Sequence, residues 1–489
     1  MPGSAIPIPS AAEYFRVLPE IILTVTATLV MVLEPLTGSR SKRPLGYIAL
    51  AGLIVALIPA VLAQSLQGPA FSGMVIVDGF AVFFRALVIT AGILVTLMSF
   101  GYLQREGAES GEYYALLLYS ITGQCIMAAA NELIVIFIGL EISSIASYIL
   151  AGYLRRWKLA NEASAKYFLL GSFATAFLLY GIALIYGAAG TTSLGEIHRV
   201  LLSPQAPAGL LVRTAAALMF VGFAFKVSAA PFQVWAPDVY QGAPSPVTAF
   251  LAAGPKAAAF AVFLRVYMTA FASIAGRWEP IVWVSALLTM IVGNFAALHQ
   301  TNVKRLLAYS SIAHAGYVMV AITAHSAIGT SAAMFYLAAY VFMNVGAFAV
   351  VSYFSRAGER YVEVEDFAGL GWRQPVTAAL FAIFLLSLIG VPLTAGFFGK
   401  FYIFRAAFEA HLTWLAILGL LNSAVAAYYY LRLLVVMYMQ EPGESTKDLP
   451  PLPAGTRITL WVSALLTLLL GIFPSLVLDL AGEWAAFGK

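Results

Sequence analysis

The sequence predicts an all-α polytopic membrane protein with 14 transmembrane helices. Of its 489 residues, 61% are hydrophobic and only 10% are charged, well below the roughly 25% charged residues of an ordinary soluble domain. Its apolar stretches are long enough to cross a bilayer, because a helix of about 20 apolar residues spans roughly 30 Å of hydrocarbon. The predicted spans begin near residues 15, 44, 78, 112, 132, 163, 209, 247, 280, 304, 329, 376, 411 and 457.

The basic residues predict how the chain is oriented, because cytoplasmic loops carry the excess of Lys and Arg. The loops after the odd-numbered spans contain Arg40, Lys42, Arg43, Arg105, Arg155, Arg156, Lys158, Lys304, Arg305, Arg356, Arg360, Arg373, Lys447 and Arg457. The opposite side contains only Arg16, Arg199, Arg213, Arg277, Arg405 and Lys489. We therefore expect both termini on the non-cytoplasmic side of the membrane.

Two apolar runs are too long for one straight crossing, and each contains a proline. The runs cover residues 208–237, with Pro231, and residues 376–410, with Pro392. Such a break is tolerated in a membrane where it is buried in protein or lines a wet cavity. These runs are spans 7 and 12, which are five spans apart. Because five is an odd number, a unit of five spans followed directly by a second copy has that copy in the opposite orientation across the membrane. We expect two inverted five-helix repeats, spans 4–8 and 9–13, each with one broken helix.

This repeat divides the chain into four predicted parts. They are an N-terminal three-helix segment, the first repeat, the second repeat and a C-terminal helix, at residues 1–110, 111–275, 276–440 and 441–489.

Four ionisable residues lie in the middle of apolar runs: Glu141, Lys226, Lys256 and Lys400. A charge at bilayer depth costs at least roughly 2.5 kcal/mol, so these residues are functional candidates. Glu141 has no counter-charge in its own helix, and we expect Lys226 to be its partner, since buried charges must be paired or neutralised. Burial disfavours the charged form of lysine, whereas a nearby carboxylate stabilises that form. Moving the carboxylate away would release the proton, which is the elementary step of an electrostatically driven pump.

Other polar residues are weaker candidates. Lys166 lies near the start of span 6, where snorkelling to the interface is an equal alternative, and His314 titrates near neutrality but also suits packing. The 24 Tyr and 8 Trp residues fit interfacial anchoring. The only cysteine, Cys125, excludes a four-thiolate iron–sulfur cluster or an internal disulfide, and no metal-ligand histidine spacing or nucleotide-binding glycine motif is present. We expect no redox cofactor in this chain.

Several strings closely resemble subunit N, the antiporter-like subunit of respiratory complex I, the proton-translocating NADH:quinone oxidoreductase. They are FKVSAAPFQVWAPDVYQGAPSPVTAFLAAGPKAAAFAVFLR at 225–265, KYFLLGSFATAFLLYGIALIYGAAGTTSL at 166–194, NVKRLLAYSSIAHAGY at 302–317, DFAGLGWRQP at 366–375 and GVPLTAGFFGKFYIF at 390–404. The resemblance implies a fourteen-helix fold with two inverted five-helix repeats.

The resemblance also implies residue roles. It makes Glu141 the acid that pairs with Lys226, Lys256 the connecting lysine and Lys400 the lysine nearest the outlet, and it places two further residues, Lys166 and His314, on a central hydrophilic axis. One departure is Gln233, where the family commonly has a histidine. Glutamine does not titrate, so a histidine relay at that point is not expected here.

The resemblance further implies the surroundings of the chain. Its partners would be M-like and K-like membrane-arm subunits, the lipid bilayer and protons, with no nucleic acid. FMN, iron–sulfur clusters and quinone would belong to other subunits, and the membrane would be the inner (plasma) membrane of a prokaryote.

Two other functions stay open at this point. One is a subunit of a multi-subunit Na⁺(K⁺)/H⁺ antiporter, whose large subunits share this fold. The other is a membrane scaffold in which the buried charges only fix helix packing. The scaffold predicts that apolar replacement of both Glu141 and Lys226 leaves transport intact.

Overall fold

The computed structural model describes residues 9–38, 41–204, 209–447 and 449–485. Two of the basic residues counted above, Arg40 and Lys489, lie outside these ranges. The described chain begins with a helical segment that also contains a short antiparallel hairpin. Its elements are α1 (Ala11–Arg16), α2 (Leu18–Leu36), α3 (Arg43–Leu62), β1 (Gly68–Ala70), β2 (Val75–Val77) and α4 (Gly79–Glu106).

The next helices contain the first of the two long apolar runs. They are α5 (Gly111–Ala129), α6 (Leu133–Ala151), α7 (Lys158–Ala189), α8 (Leu194–Leu202), α9 (Gly209–Val227), α10 (Trp235–Gly242) and α11 (Ser245–Thr269).

The remaining helices contain the second run and the C-terminal part. They are α12 (Ala275–Leu298), α13 (Val303–Thr323), α14 (Ala327–Phe354), α15 (Leu370–Arg373), α16 (Pro375–Ile389), α17 (Ala395–Glu409), α18 (Thr413–Met439), α19 (Ala454–Ile472) and α20 (Ser475–Trp484).

Within the described residues, 12 helices are long and apolar enough to cross a membrane. They are α2, α3, α4, α6, α7, α9, α11, α12, α13, α14, α18 and α19. The count is below the 14 predicted for two reasons. Helix α5 carries tyrosines, Ser120, Gln124 and Glu112 among its apolar residues, and α16 and α17 have only 15 residues each.

Three helices form the centre of the protein. In the most apolar stretch of α11 and of α13, 94% of the residues are buried, and in α14 all are, whereas only 28% are buried in α2 and 39% in α7. A helix that is apolar all round and buried all round is enclosed by other helices, whereas α2 and α7 each leave one side uncovered by the chain. Lys256 on α11 and Lys304 on α13 are accordingly buried, whereas Arg305, near the start of α13, is partly exposed.

The helices are interrupted where the two prolines predict it. Residues 228–234, with Pro231, separate α9 from α10, and residues 390–394 separate α16 from α17. The freed backbone groups of Ala230 bond side chains of α12: its N–H donates to Thr289 Oγ1 (2.8 Å), and its carbonyl accepts from Ser285 Oγ (2.5 Å). At the second interruption Gly390 ends α16 with φ 95°, a conformation that glycine adopts without strain.

A buried carboxylate in the loop after α14 joins three helices. Glu359 accepts hydrogen bonds from the Tyr102 hydroxyl of α4 (2.7 Å), from the Ser245 N–H and hydroxyl of α11 (2.7 and 2.6 Å) and from Lys304 Nζ of α13 (2.6 Å). Burial alone would raise the pKa of Glu359, but the Lys304 ammonium and these hydrogen bonds outweigh it and lower the pKa. This charged Glu359 fixes the ends of α11 and α13 against each other.

Candidate functional site

Lys226 lies in the last turn of α9, directly before the first interruption. Its ammonium donates to Ser144 Oγ (2.7 Å) and to the Tyr148 hydroxyl (3.0 Å), both on α6. It also lies 5.2 Å from the centre of the Tyr148 ring and 5.9 Å from that of Tyr167, distances at which a cation is attracted to an aromatic face. Neutral groups therefore hold this ammonium.

Glu141 lies on the same face of α6, one turn before Ser144. Its Oε1 atom is buried and has no hydrogen-bond partner within the described part of the chain. No ion pair within 4.0 Å joins Glu141 to Lys226 among these residues, which differs from the predicted pair. The reason is geometric, because Ser144 and Tyr148, which bind the ammonium, lie about one and two turns further along α6, roughly 4.5 and 10.5 Å.

Lys256 lies in the middle of α11 and is only 3% exposed. Its Nζ donates to the carbonyl oxygen of Ser311 (2.9 Å) and also to the Ser311 hydroxyl, on the central helix α13. Lys256 is thus buried and far from both ends of its helix. Its partners here are again neutral oxygens, so the charge is hydrogen-bonded without a carboxylate.

Lys400 lies on α17 and reaches back to the end of α16. Its Nζ donates to the carbonyl oxygens of Leu388 (3.0 Å) and Ile389 (2.8 Å) and to Ser423 Oγ of α18 (2.8 Å). The last carbonyl groups of a helix have no partner within the helix, and the negative end of the helix dipole favours a cation there. The second interruption thus creates the binding site for this ammonium. A cavity of about 490 Å³ reaches Lys400 from the surface.

His314 lies on α13 between Ser311, which bonds Lys256, and Tyr317, and it bonds two tyrosines. Its Nδ1 lies 2.5 Å from the Tyr336 hydroxyl and its Nε2 lies 3.3 Å from the Tyr430 hydroxyl. Tyr430 also bonds Ser310. The Lys400 ammonium lies 4.9 Å from the ring centre of Tyr317, which is one turn beyond His314.

These tyrosines are buried, so interfacial anchoring is the wrong interpretation for them. Tyr336, Tyr429 and Tyr430 are each fully buried, and Tyr429 donates to Asn294 Oδ1 (3.1 Å). Sequence reasoning missed them because an interfacial and a buried tyrosine have the same neighbours in an apolar helix. The available signal was their distance from the helix ends.

Lys166 lies apart from the other candidates, in a half-exposed ion cluster. Its Nζ contacts Glu162 Oε1 (2.6 Å) and Asp238 Oδ2 (2.6 Å), and Arg305 donates to Asp238 Oδ1 (2.6 Å). Its side chain is 41% exposed, so Lys166 is far more accessible than Lys256 and Lys400. Asp238 and Arg305, which sequence reasoning did not select, connect α10 to α13.

The described residues contain no group of three or more His, Cys, Asp or Glu side chains that could hold a metal ion. Cys125 is buried and has no disulfide. Lys226, Lys256, Lys400 and His314 are instead each hydrogen-bonded to hydroxyl or carbonyl oxygens.

Known proteins are similar to this chain over most of its length. A family described as "NADH:quinone oxidoreductase/Mrp antiporter, TM" matches residues 130–426. A curated relative, NADH-quinone oxidoreductase subunit N 1 of Solibacter usitatus, is 62% identical over 475 residues, which cover 97% of each chain.

Solved structures give the same result at the level of the fold. A chain of respiratory complex I from Thermus thermophilus, solved with bound aureothin, is 37% identical with a TM-score of 0.81, over 95% of this chain and 99% of that one. A chain of the Mrp complex from Dietzia sp. DQ12-45-1b has a TM-score of 0.85 over 96% of this chain and 97% of that one. The Mrp chain is 20% identical, so that likeness shows the fold alone.

Proposed function

The chain belongs to the NADH-quinone oxidoreductase subunit N family, and on that premise we propose that Glu141, Lys226, Lys256 and Lys400 move protons through it. It is a multi-pass membrane-arm subunit of a bacterial H⁺-translocating NADH-quinone oxidoreductase of the inner membrane, and other antiporter-like subunits are its partners. In this proposal FMN, the iron–sulfur clusters and quinone are bound by other subunits.

The proposed topology has 14 crossings in two inverted repeats. Helix α5 and the pair α16 and α17 add two crossings to the 12 apolar spans. The first repeat contains α5, α6, α7, the broken pair α9 and α10, and α11; the second contains α12, α13, α14, the broken pair α16 and α17, and α18. Residues 1–110 and 441–489 flank repeats at 111–275 and 276–440. The excess of basic residues in the loops after odd-numbered spans supports placing both termini on the non-cytoplasmic side.

In the first repeat, Lys226 alternates between two positions on α6. Beside Ser144 and Tyr148 the ammonium has neutral partners, and beside Glu141 it has a carboxylate one turn away. A carboxylate stabilises the charged lysine more strongly than a hydroxyl does. Movement away from Glu141 therefore promotes proton release from Lys226. Quinone reduction elsewhere in the complex would drive this step.

The observation that carries the proposal for the second repeat is one polar face of α13. Ser311 bonds Lys256, His314 follows one turn later, and Tyr317 lies against Lys400 one further turn on. These positions share a helix face and extend over about 9 Å. In this proposal protons pass from Lys256 to Lys400 along this face of α13, which carries a hydroxyl, an imidazole and a phenol on successive turns.

Lys166 and His314 complete the proposed set of residues. Lys166 lies at the half-exposed end, beside Asp238, where water can reach it, and we assign it to proton entry. His314 is fully enclosed between two tyrosine hydroxyls, and we assign it to transfer along α13. The open cavity at Lys400 supports assigning that lysine to the outlet.

Proton transport in membrane vesicles that contain the assembled complex tests the proposal. Lys226→Ala and Lys400→Ala should each abolish or sharply reduce NADH-driven quenching of a pH dye while the complex remains assembled. The matched control is Lys158→Ala, at an exposed lysine where α7 begins. Quenching at the wild-type rate in either test variant would contradict the assignment.

The alternative function is Na⁺(K⁺)/H⁺ exchange, which the Mrp likeness suggests only through the shared fold. Exchange would produce cation-dependent dequenching of the dye without NADH. Proton pumping would require NADH and would not respond to added Na⁺ or K⁺, so one vesicle assay separates the two functions.

A further inference from the structure

Two arginines differ from the others at the non-cytoplasmic end of the proposed topology. The other described arginines there have protein partners: Arg16 donates to three backbone carbonyls, and Arg85, Arg199, Arg265 and Arg405 pair with Glu20, Glu196, Asp78 and Glu409. Arg213 and Arg277 have no hydrogen bond or ion pair within the described ranges, and both are exposed. Both line the same cavity of about 450 Å³.

The two arginines lie at the same level of the membrane. Arg213 is the fifth residue of α9 and Arg277 the third residue of α12. Both helices run in the same direction in the proposed topology, so both guanidinium groups lie near the level where α9 and α12 begin. Glu279, the acid closest to Arg277 in sequence, contacts His325 Nδ1 at 3.3 Å instead.

Below the arginines the cavity is apolar and continues towards the centre of the membrane. The polar atoms of its wall already bond backbone carbonyls: Thr214 to Leu210, Tyr267 to Ala216 and Trp278 to Phe271. A second cavity of about 530 Å³ shares Ala217, Phe220 and Ile281 with the first. The two cavities therefore form one groove between α9 and α12.

The length of the groove matches one leaflet of a bilayer. It extends along α12 from Arg277 to Leu288, about 16 Å of helix, and half of a hydrocarbon core is roughly 15 Å. It ends at Pro231, beside the interruption between α9 and α10. A cationic mouth above an apolar groove of this depth fits a molecule with an anionic head and a hydrocarbon tail.

We propose that this groove binds one anionic phospholipid of the non-cytoplasmic leaflet. Its phosphate lies between Arg213 and Arg277, where guanidinium groups form charge-assisted hydrogen bonds to phosphate oxygens. One acyl chain lies along Phe220 and Ile281 and reaches Pro231. The lipid thereby fills the space between a helix of the first repeat and one of the second.

Lipid retention by the purified complex tests this site. The assembled complex would be purified in mild detergent through a tag on this chain, incubated with phosphatidylglycerol or phosphatidylcholine, and analysed by native mass spectrometry. The double variant Arg213→Gln/Arg277→Gln should retain one phosphatidylglycerol fewer than wild type, and phosphatidylcholine binding should not change. The matched control is Arg199→Gln, an arginine of the same membrane side that is paired with Glu196.

Other variants distinguish loss of the lipid through loss of charge from misfolding of the chain. They also test whether a protein segment occupies the groove instead. Arg213→Lys/Arg277→Lys keeps both charges and should retain the lipid. If the glutamine variant does not assemble, Ile281→Trp fills the groove and should also lose one lipid. Equal retention by wild type and the charge-removing or groove-filling variants, or equal retention of both lipids at this site, would overturn the proposal. So would crosslinking of Ile281→Cys to a protein subunit, which would show that a partner helix covers the groove.

Discussion

The two hydroxyl groups that hold Lys226 allow a quantitative prediction. Ser144→Ala together with Tyr148→Phe removes both acceptors but keeps the aromatic ring beside the ammonium. A hydrogen bond to a charged group contributes about 1.5–3 kcal/mol, so the position on Ser144 and Tyr148 loses about 3–6 kcal/mol. Since about 1.4 kcal/mol corresponds to a tenfold change in an equilibrium, the ammonium should then remain beside Glu141.

A lysine that remains beside a carboxylate keeps its proton, so transport should fail although electron transfer continues. The measurement is the initial rate of dye quenching in vesicles divided by the rate of NADH oxidation. We expect this ratio to fall below about one tenth of the wild-type value in the double variant and to fall less in each single variant. Tyr180→Phe is the control, because it removes a hydroxyl from an exposed tyrosine of α7.

A wild-type ratio in the double variant would refute the reasoning, because Lys226 would then not depend on its two neutral partners. A loss of assembled complex would not be mistaken for this effect, since the ratio is taken per NADH oxidised by the complex that is present. An equal fall in Tyr180→Phe would also refute it, because that hydroxyl is remote from Lys226.

Three further predictions concern the relay on α13 and the buried Glu359. Tyr430→Phe removes a hydroxyl that bonds both Ser310 and His314 of α13, and it should reduce proton transport per NADH several-fold. Tyr428→Phe, on the exposed face of α18, should not. Glu359→Gln leaves Lys304 buried without a counter-charge and should destabilise the complex by about 3–5 kcal/mol. The measurement is the midpoint temperature of thermal inactivation, which should fall. An unchanged midpoint would contradict this prediction. Because the pKa of Glu359 is lowered from 4.5, its contribution is complete above that pH and is lost as the pH falls below it. The difference in midpoint between wild type and Glu359→Gln should therefore shrink from pH 6 to pH 4, and a constant difference would contradict the lowered pKa.

Much of the architecture follows from the sequence because hydrocarbon imposes simple rules. Apolar runs of sufficient length become helices, and a proline inside such a run interrupts it, so the interruptions at Pro231 and Pro392 were predictable. The buried lysines were predictable for the same reason, since a charge within an apolar run has no water to reach.

The partners of those lysines were not predictable from the sequence. Lys226 bonds two hydroxyl groups of α6 and not Glu141 one turn away, because helix rotation and tilt decide which turn faces the ammonium. The Glu359 cluster was missed because it lies in a charged loop, where sequence gives no indication of burial. Long-range packing decides both cases, and helical periodicity does not encode it.

The position of Lys400 has a consequence for which amino acids can occupy that site. Its ammonium lies against the carbonyl oxygens of Leu388 and Ile389, where α16 ends. A carboxylate at position 400 would face those oxygens with like partial charge, so an acid there would have to carry a proton or the end of α16 would have to turn away. The direction of α16 thus favours a basic over an acidic side chain at position 400. A charged acid there would require a different backbone conformation at the end of α16.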